Sequence, residues 1–235
     1  MSFANAFTPE KLQEAWDMFL NDFPLALWDT LYVTILSTLF ALIIGLLLGM
    51  LLVAGDAKGV RPMPGWLMKI LNVVINLLRL VPFLILIVVV IPLTRMIVGT
   101  AVGTVASIVP LVVAAFPFVA RLVESSLREV NPNIIETAQS MGATPMQILL
   151  HVMLPESVPS LINNITLAIT TILGYTAMSG AVGGGGLGNI AIMIGYNRYK
   201  YAVLYASVIV LVIVVQVIQS LGTYLATKSD KRLKK

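Results

Sequence analysis

From Leu25 to Ala54 the sequence is one apolar run whose only charge is Asp29. No other feature limits the fold as strongly. A helix of that length crosses a hydrocarbon layer of about 30 Å with room to tilt. In lipid, a single segment satisfies its own backbone N–H and C=O groups only as a helix. Composition extends the point to the whole chain: 58% of the 235 residues are hydrophobic and 11% are charged, where soluble domains carry about 25% charged residues. The run is too long for a signal peptide and no charged segment leads into a shorter one, so the N-terminus is expected to be retained.

Four more spans follow in order. Trp66 to Pro92 is the second, interrupted by Arg79 and Pro82. Val102 to roughly Val123 is the third, broken by Pro110 and Pro117; Ser157 to about Val182 is the fourth and most polar; Ala202 to about Ala226 is the fifth. The expected fold class is all-α, a polytopic membrane protein with about five transmembrane helices over residues 25–226 and a cytoplasmic helical loop at 125–156. Residues 1–24 set Glu10, Glu14, Asp17 and Asp22 against Lys11, and read as an extracytoplasmic amphipathic helix at the membrane surface. An arginine at mid-membrane costs about 2.5–3.5 kcal/mol on insertion scales, so Arg79 is expected at the cytoplasmic interface or in a polar interior. Pro82 is expected to bend its helix.

Charge sets the orientation. With loops 55–69 and 121–156 and the C-terminal tail inside, ten of the fifteen Lys and Arg are cytoplasmic: Lys58, Arg61, Lys69, Arg121, Arg128, Lys228, Lys231, Arg232, Lys234 and Lys235. The positive-inside rule then places the N-terminus outside and the basic tail, residues 227–235, in the cytoplasm. Arg198 and Lys200 count against this placement. The net charge of +4 belongs to this topology and implies membrane lipid rather than nucleic acid as a partner, because the basic residues are not interleaved with aromatics on a soluble face.

Asn131 to Pro155 is the long segment that lipid does not accept. Asn131 followed by Pro132 is a helix start, with the Asn side chain as cap and Pro where its missing N–H is not needed. Gly142 is the natural stop, and Thr144, Pro145 and Gln147 restart a helix as a capping box that Pro155 is expected to close. The first of these helices places Ile134, Ile135, Ala138, Met141 and Gly142 on one small apolar face. Being short, it needs a surface to pack against, either the ends of its own spans or another protein.

Little else looks like chemistry. With no Cys there is no disulfide, Cys-zinc site or thiol nucleophile, and His151 is the only histidine, expected to be solvated, so neither a metal site nor a His-based catalytic group assembles. Gly183, Gly185 and Gly188 spell G-x-G-x-x-G, but no acid lies between Glu156 and Asp230, which rules against a dinucleotide site. Two readings of that stretch stay open: a closely packed backbone that helps gate a pathway, or a loop made flexible by glycine. No phosphate-binding G-x-x-x-x-G-K-[ST] occurs, so any ATP that drives this chain binds elsewhere.

Glu136, Ala138 and Gly142, followed by Val152, Leu154 and Pro155, resemble the E-A-A-x-x-x-G-x(9)-I-x-L-P loop of permease subunits of bacterial ABC importers, with Thr137 at the first alanine and Val152 at the isoleucine. Arg79, Pro82 and Phe83 resemble the R-x-x-P segment of the same family. In that family the loop is a coupling helix seated in a groove of a separate ATPase. The resemblance therefore implies Glu136, Ala138, Met141, Gly142, Ala143 and Pro145 as ATPase-coupling residues. Over residues of about 70–220, RLVPF, IPLTR, IVGT, IVPL, MGATPMQI and GYTAMSGAVGGGGLG are similar to the methionine-importer branch. That implies methionine or a close analogue as substrate and alternating access as mechanism. It also implies two ATPase subunits holding ATP and Mg, an extracytoplasmic substrate-binding protein and a bacterial inner membrane. Residues 1–24 exceed what that branch leads one to expect.

Five helices close a pathway poorly alone, so a second copy of the chain is expected. Asn164, Thr171, Tyr175 and Met178 follow helical spacing on the fourth span and are the candidate pathway-lining residues, suited to a zwitterion with a thioether tail. Helix-to-helix glue is the competing use of such residues. Rival functions are a permease for another solute, a self-sufficient channel or secondary transporter, and an intramembrane enzyme; the last needs paired ionisable groups in the spans, where only Arg79 stands.

Overall fold

A computed structural model describes residues 8–230, with Glu14 described in its backbone alone. The tail residues Lys231, Arg232, Lys234 and Lys235, counted above for orientation, lie outside the described residues. In chain order the helices are α1 (Pro9–Asn21), α2 (Phe23–Gly55), α3 (Gly65–Leu80), α4 (Phe83–Val89), α5 (Ile91–Val98), α6 (Ile108–Arg128), α7 (Pro132–Ser140), α8 (Pro145–Gln147), α9 (Leu154–Glu156), α10 (Val158–Ser179), α11 (Gly186–Asn189) and α12 (Tyr201–Ser229). Wider π turns fill Ile148–Met153 and Ile190–Tyr196.

Four of these helices, α2, α6, α10 and α12, are long and apolar enough to cross a membrane, and α3 with α4 makes a fifth crossing if counted as one broken span. The second span, expected from Trp66 to Pro92 with an interruption at Arg79 and Pro82, is broken there into α3 and α4. Val81 and Pro82 are both extended, with ψ of 122° and 134°, because a proline drives the preceding residue out of the helical region. The third span starts later than expected, at Ile108 rather than Val102, and is not broken by its prolines. Pro110 falls in the first turn, where no N–H is required, and α6 continues through Pro117 at the loss of one hydrogen bond. Pro155 does not close the loop helix either. The π turn Ile148–Met153 widens the backbone ahead of it, and the chain stays helical through α9 into α10.

The contacts group into two compact units, residues 1–38, 82–112 and 169–218 in one and 39–81, 113–168 and 219–235 in the other. In the first, Phe23, Ala26, Leu187, Ile190, Ala202 and Val203 form a buried cluster to which α1 adds Ala15. Here the glycine stretch makes a packed corner, not a slack loop. Thr30 Oγ1 accepts the Leu187 N–H at 2.9 Å, and the Gly103 N–H donates to the Gly183 carbonyl at 2.9 Å. Gly185 and Gly186 have positive φ, and a Cβ on Gly186 would stand 2.5 Å from Thr30 Oγ1.

In the second unit, Gly45 and Gly49 of α2 let its backbone lie directly on α6. A Cβ at Gly45 would fall 2.6 Å from Val119 Cγ1, and one at Gly49 would fall 2.7 Å from Val123 Cβ. Gly-x-x-x-Gly is the small-residue pattern by which helices approach closely in membranes, where apolar burial alone does not separate helix from lipid.

Candidate functional site

The loop between α6 and α10 is built from local signals. Asn131 Oδ1 accepts the Asn133 N–H at 2.9 Å, and Pro132 takes the first helical position of α7. Gly142 is left-handed, φ 80°, which lets its N–H reach the Gln139 carbonyl at 2.9 Å and the Ala143 N–H reach the Ala138 carbonyl at 3.1 Å. The Thr144 N–H then donates to Gln147 Oε1 at 2.8 Å while Thr144 Oγ1 accepts the Gln147 N–H at 3.4 Å, completing the expected capping box. Thr137 and Ser140 turn their hydroxyls back onto the carbonyls of Asn133 and Glu136.

The loop is rooted by Ile148, Leu149 and Met153, all buried. Its tip is not covered by the described residues. Ile135, Ala138 and Ala143 are half-buried, whereas Glu136, Gly142 and Pro145 are exposed. Met141 is 82% and Met146 61% exposed. The apolar face read from spacing therefore splits: Ile135 and Ala138 turn inward, while Met141 and Ile134 project from the tip. Glu136 also lines a cleft of about 600 Å³ together with Asp56, Lys58, Arg128, Gln139 and Met153. His151 is exposed, as expected.

Behind the cleft runs a polar chain that sequence reading missed. Arg128 Nη2 donates to Asp56 Oδ2 at 2.7 Å and to Glu124 Oε1 at 3.0 Å. Arg121 Nη1 donates to Glu124 Oε2 at 2.6 Å, and its Nη2 to Asn72 Oδ1 at 2.7 Å and Asn76 Oδ1 at 3.1 Å. Three charges at i, i+3 and i+7 on one face of α6, facing two Asn one turn apart on α3, were the available signal. The Arg128 guanidinium, and then the Ala57 N–H, hold the Asp56 carboxyl below its ordinary 3.8. Its contribution is complete above that value and is lost only as pH falls through the lowered one, so this pair does not titrate near neutrality.

Arg121 and Glu124 keep side-chain exposures of only 19% and 12%. Removing Arg121 leaves Glu124 its ion pair with Arg128 but strips Asn72 and Asn76 of their shared donor. Arg121→Ala is accordingly expected to lower the midpoint of thermal unfolding in detergent, by less than the about 3–5 kcal/mol that an isolated buried pair would lose. Equal midpoints for Arg121→Ala and the parent would show that the pair contributes nothing.

The four candidate pathway residues fall into two groups on α10. Asn164 belongs to the second unit, where its Nδ2 donates to Ser126 Oγ at 2.7 Å and to the Leu122 carbonyl at 3.2 Å. Ser160 Oγ donates to the same Ser126 hydroxyl at 3.1 Å. This amide pairs α10 with α6. Thr171, Tyr175 and Met178 belong to the first unit. Tyr175 stacks on Phe83 with centroids 4.7 Å apart and planes 11° from parallel, and Met178 is exposed.

These features define a polytopic helical membrane protein with a capped, projecting loop between two of its spans. The chain belongs to the family of binding-protein-dependent transport system inner membrane components, whose model matches residues 41–235. It is 45% identical over 208 residues to the probable D-methionine transport system permease protein MetI of Vibrio cholerae, covering 88% of this chain and 92% of that one. It is 42% identical over 164 residues to the methionine import system permease protein MetP of Bacillus subtilis, covering 70% and 74%. Among solved structures, a chain from inward-facing conformations of the MetNI methionine ABC transporter aligns with a TM-score of 0.85 at 43% identity, covering 87% of this chain and 94% of that chain. An amino acid ABC transporter at 20% identity and a TM-score of 0.71 shares the fold.

Proposed function

We propose that this chain is the membrane-spanning subunit of an ATP-driven importer for methionine or a close analogue. The capped loop with Met141 and Met146 at its uncovered tip carries the reading, since it presents a fixed, adaptable apolar surface for which the chain itself has no cover. Glu136, Ala138, Met141, Gly142, Ala143 and Pro145 meet an ATPase subunit there, and ATP with Mg is bound and hydrolysed on that partner. Two copies of this chain, two ATPase subunits and an extracytoplasmic substrate-binding protein complete the assembly in a bacterial inner membrane. Relatives named for D-methionine and methionine transport support the substrate class. The N-terminus lies outside and the C-terminus inside; a reporter fused after Lys235 that is active only outside the cytoplasm would reverse this.

Co-purification of the tagged chain with an ATPase, followed by methionine uptake into vesicles that requires internal ATP, tests the function. Uptake of methionine by the chain alone, or ATP-driven uptake of a different solute only, would overturn it.

Thr171, Tyr175 and Met178 lie on the substrate route, while Asn164 serves helix pairing. Single cysteines in this Cys-free chain test that division. Water-soluble thiol reagents are expected to label 171, 175 and 178 several-fold faster than the buried 172, 173 and 176, with 164 labelled slowly. Equal rates across the set remove these residues from the route.

A further inference from the structure

The family model begins at residue 41 and leaves α1 outside it. On α1, Leu12, Trp16, Phe19 and Leu20 follow the i, i+4, i+7, i+8 spacing of one helix face and are all exposed. The neighbouring strip is already occupied: Ala15 is buried and Met18 packs beside it on Phe23, Leu187, Ile190 and Val203. The helix is thus apolar over a wider arc than the described residues cover. Its opposite side carries Glu10, Gln13, Asp17 and Asn21, all exposed. Directly after α1, the exposed Leu25, Trp28 and Ile35 continue the uncovered apolar surface along spanning helix α2. Trp16 stacks on Phe19 at 5.7 Å, making an aromatic ledge of the kind that sits at headgroup depth.

We propose that α1 is an interfacial lipid-binding arm, with Leu12, Trp16, Phe19 and Leu20 in the bilayer and Ala15 and Met18 on the protein. Interfacial helices usually carry Lys and Arg on the polar face and draw on anionic lipid. This one carries acids there, so it is held by apolar burial and needs no lipid charge.

The test uses the full-length chain with Trp28→Phe and Trp66→Phe, leaving Trp16 as its only indole, in nanodiscs of zwitterionic phosphatidylcholine with brominated acyl chains. Trp16 emission is expected to be quenched several-fold more by bromines near the headgroup end than by bromines near the chain terminus, and only weakly by aqueous iodide. The pattern is expected to be unchanged from 0.1 to 1 M salt, over which the screening length falls from about 10 Å to about 3 Å. Quenching by iodide as strong as for free tryptophan, with none by bromolipid, overturns the proposal in favour of water. Shielding from both overturns it in favour of protein cover, and loss of bromolipid quenching at high salt overturns apolar burial as the cause. A single-Trp28 chain, whose indole lies on α2, reports whether the discs assembled.

Discussion

Gly142→Leu is expected to abolish most substrate uptake while ATP hydrolysis by the assembled transporter persists. Gly142 has φ 80°, and a side chain in that left-handed region costs about 1–2 kcal/mol. Beyond its two chain neighbours, no described atom lies within 4 Å of the position a Cβ would take. The effect of the substitution falls instead on the turn. The bonds from the Gly142 and Ala143 N–H groups to the carbonyls of Gln139 and Ala138 both depend on the left-handed residue. Relaxing the strain changes the angle between α7 and α8, and the added isobutyl group stands at the exposed tip where the ATPase is proposed to dock. Gly142→Ala keeps the strain without the bulk and is expected to fall between the two. Glu136→Ala is expected to act in the same direction more weakly, through what its exposed carboxylate meets, since it lies past the first turn of α7. Uptake per ATP hydrolysed in proteoliposomes is the measurement; unchanged uptake by Gly142→Leu at normal expression refutes the assignment.

Gly49→Leu is expected to remove most folded protein from the membrane, for a different physical reason. Its Cβ would meet Val123 Cβ and Cγ1 at 2.7 Å and the Ala120 carbonyl oxygen at 2.8 Å. Inserting carbon into a packed contact costs about 1–3 kcal/mol even where neighbours can shift, and here one neighbour is backbone. Val123→Ala in the same chain relieves the side-chain clash but not the carbonyl one, so partial recovery is expected. Monodisperse protein recovered in detergent reads both variants, and parent-like yield and unfolding temperature for Gly49→Leu would show that α2 and α6 can separate there at no cost.

What was legible in the sequence was local. Asn131 with Pro132, Gly142, and Thr144 with Gln147 each fix a turn through groups within a few residues of one another, so spacing alone located them. The apolar runs of α2, α10 and α12 were equally plain. Proline was expected to interrupt the helix at Pro82, as it does, and at Pro110, Pro117 and Pro155, where it does not. At Pro82 it breaks a span outright, at Pro117 the helix runs on, and at Pro155 a π turn absorbs it; surrounding packing decides among these, and spacing does not reveal packing. The link from Arg121 to Asn72 spans 49 residues and depends on which faces of α3 and α6 meet. Gly45 and Gly49 were readable as a Gly-x-x-x-Gly motif in an apolar run, although their partners Val119 and Val123 were not. Within the pathway stripe, a regular spacing joined Asn164 to three residues whose surroundings differ from its own.

The helical course from Pro145 past Ser157 into α10 gives the loop a firm root. Hydrogen bonds from the Ser157 N–H to the Met153 carbonyl at 3.0 Å and from the Leu161 N–H to the Ser157 carbonyl at 2.8 Å carry the helix past Pro155. Within the second unit this course runs from Pro145 into the first part of α10, and Gly142, left-handed and outside it, is the turn from which α7 leaves. The π turn at Ile148–Met153 carries the buried side chains Ile148, Leu149 and Met153, so the loop is anchored directly behind its capped tip.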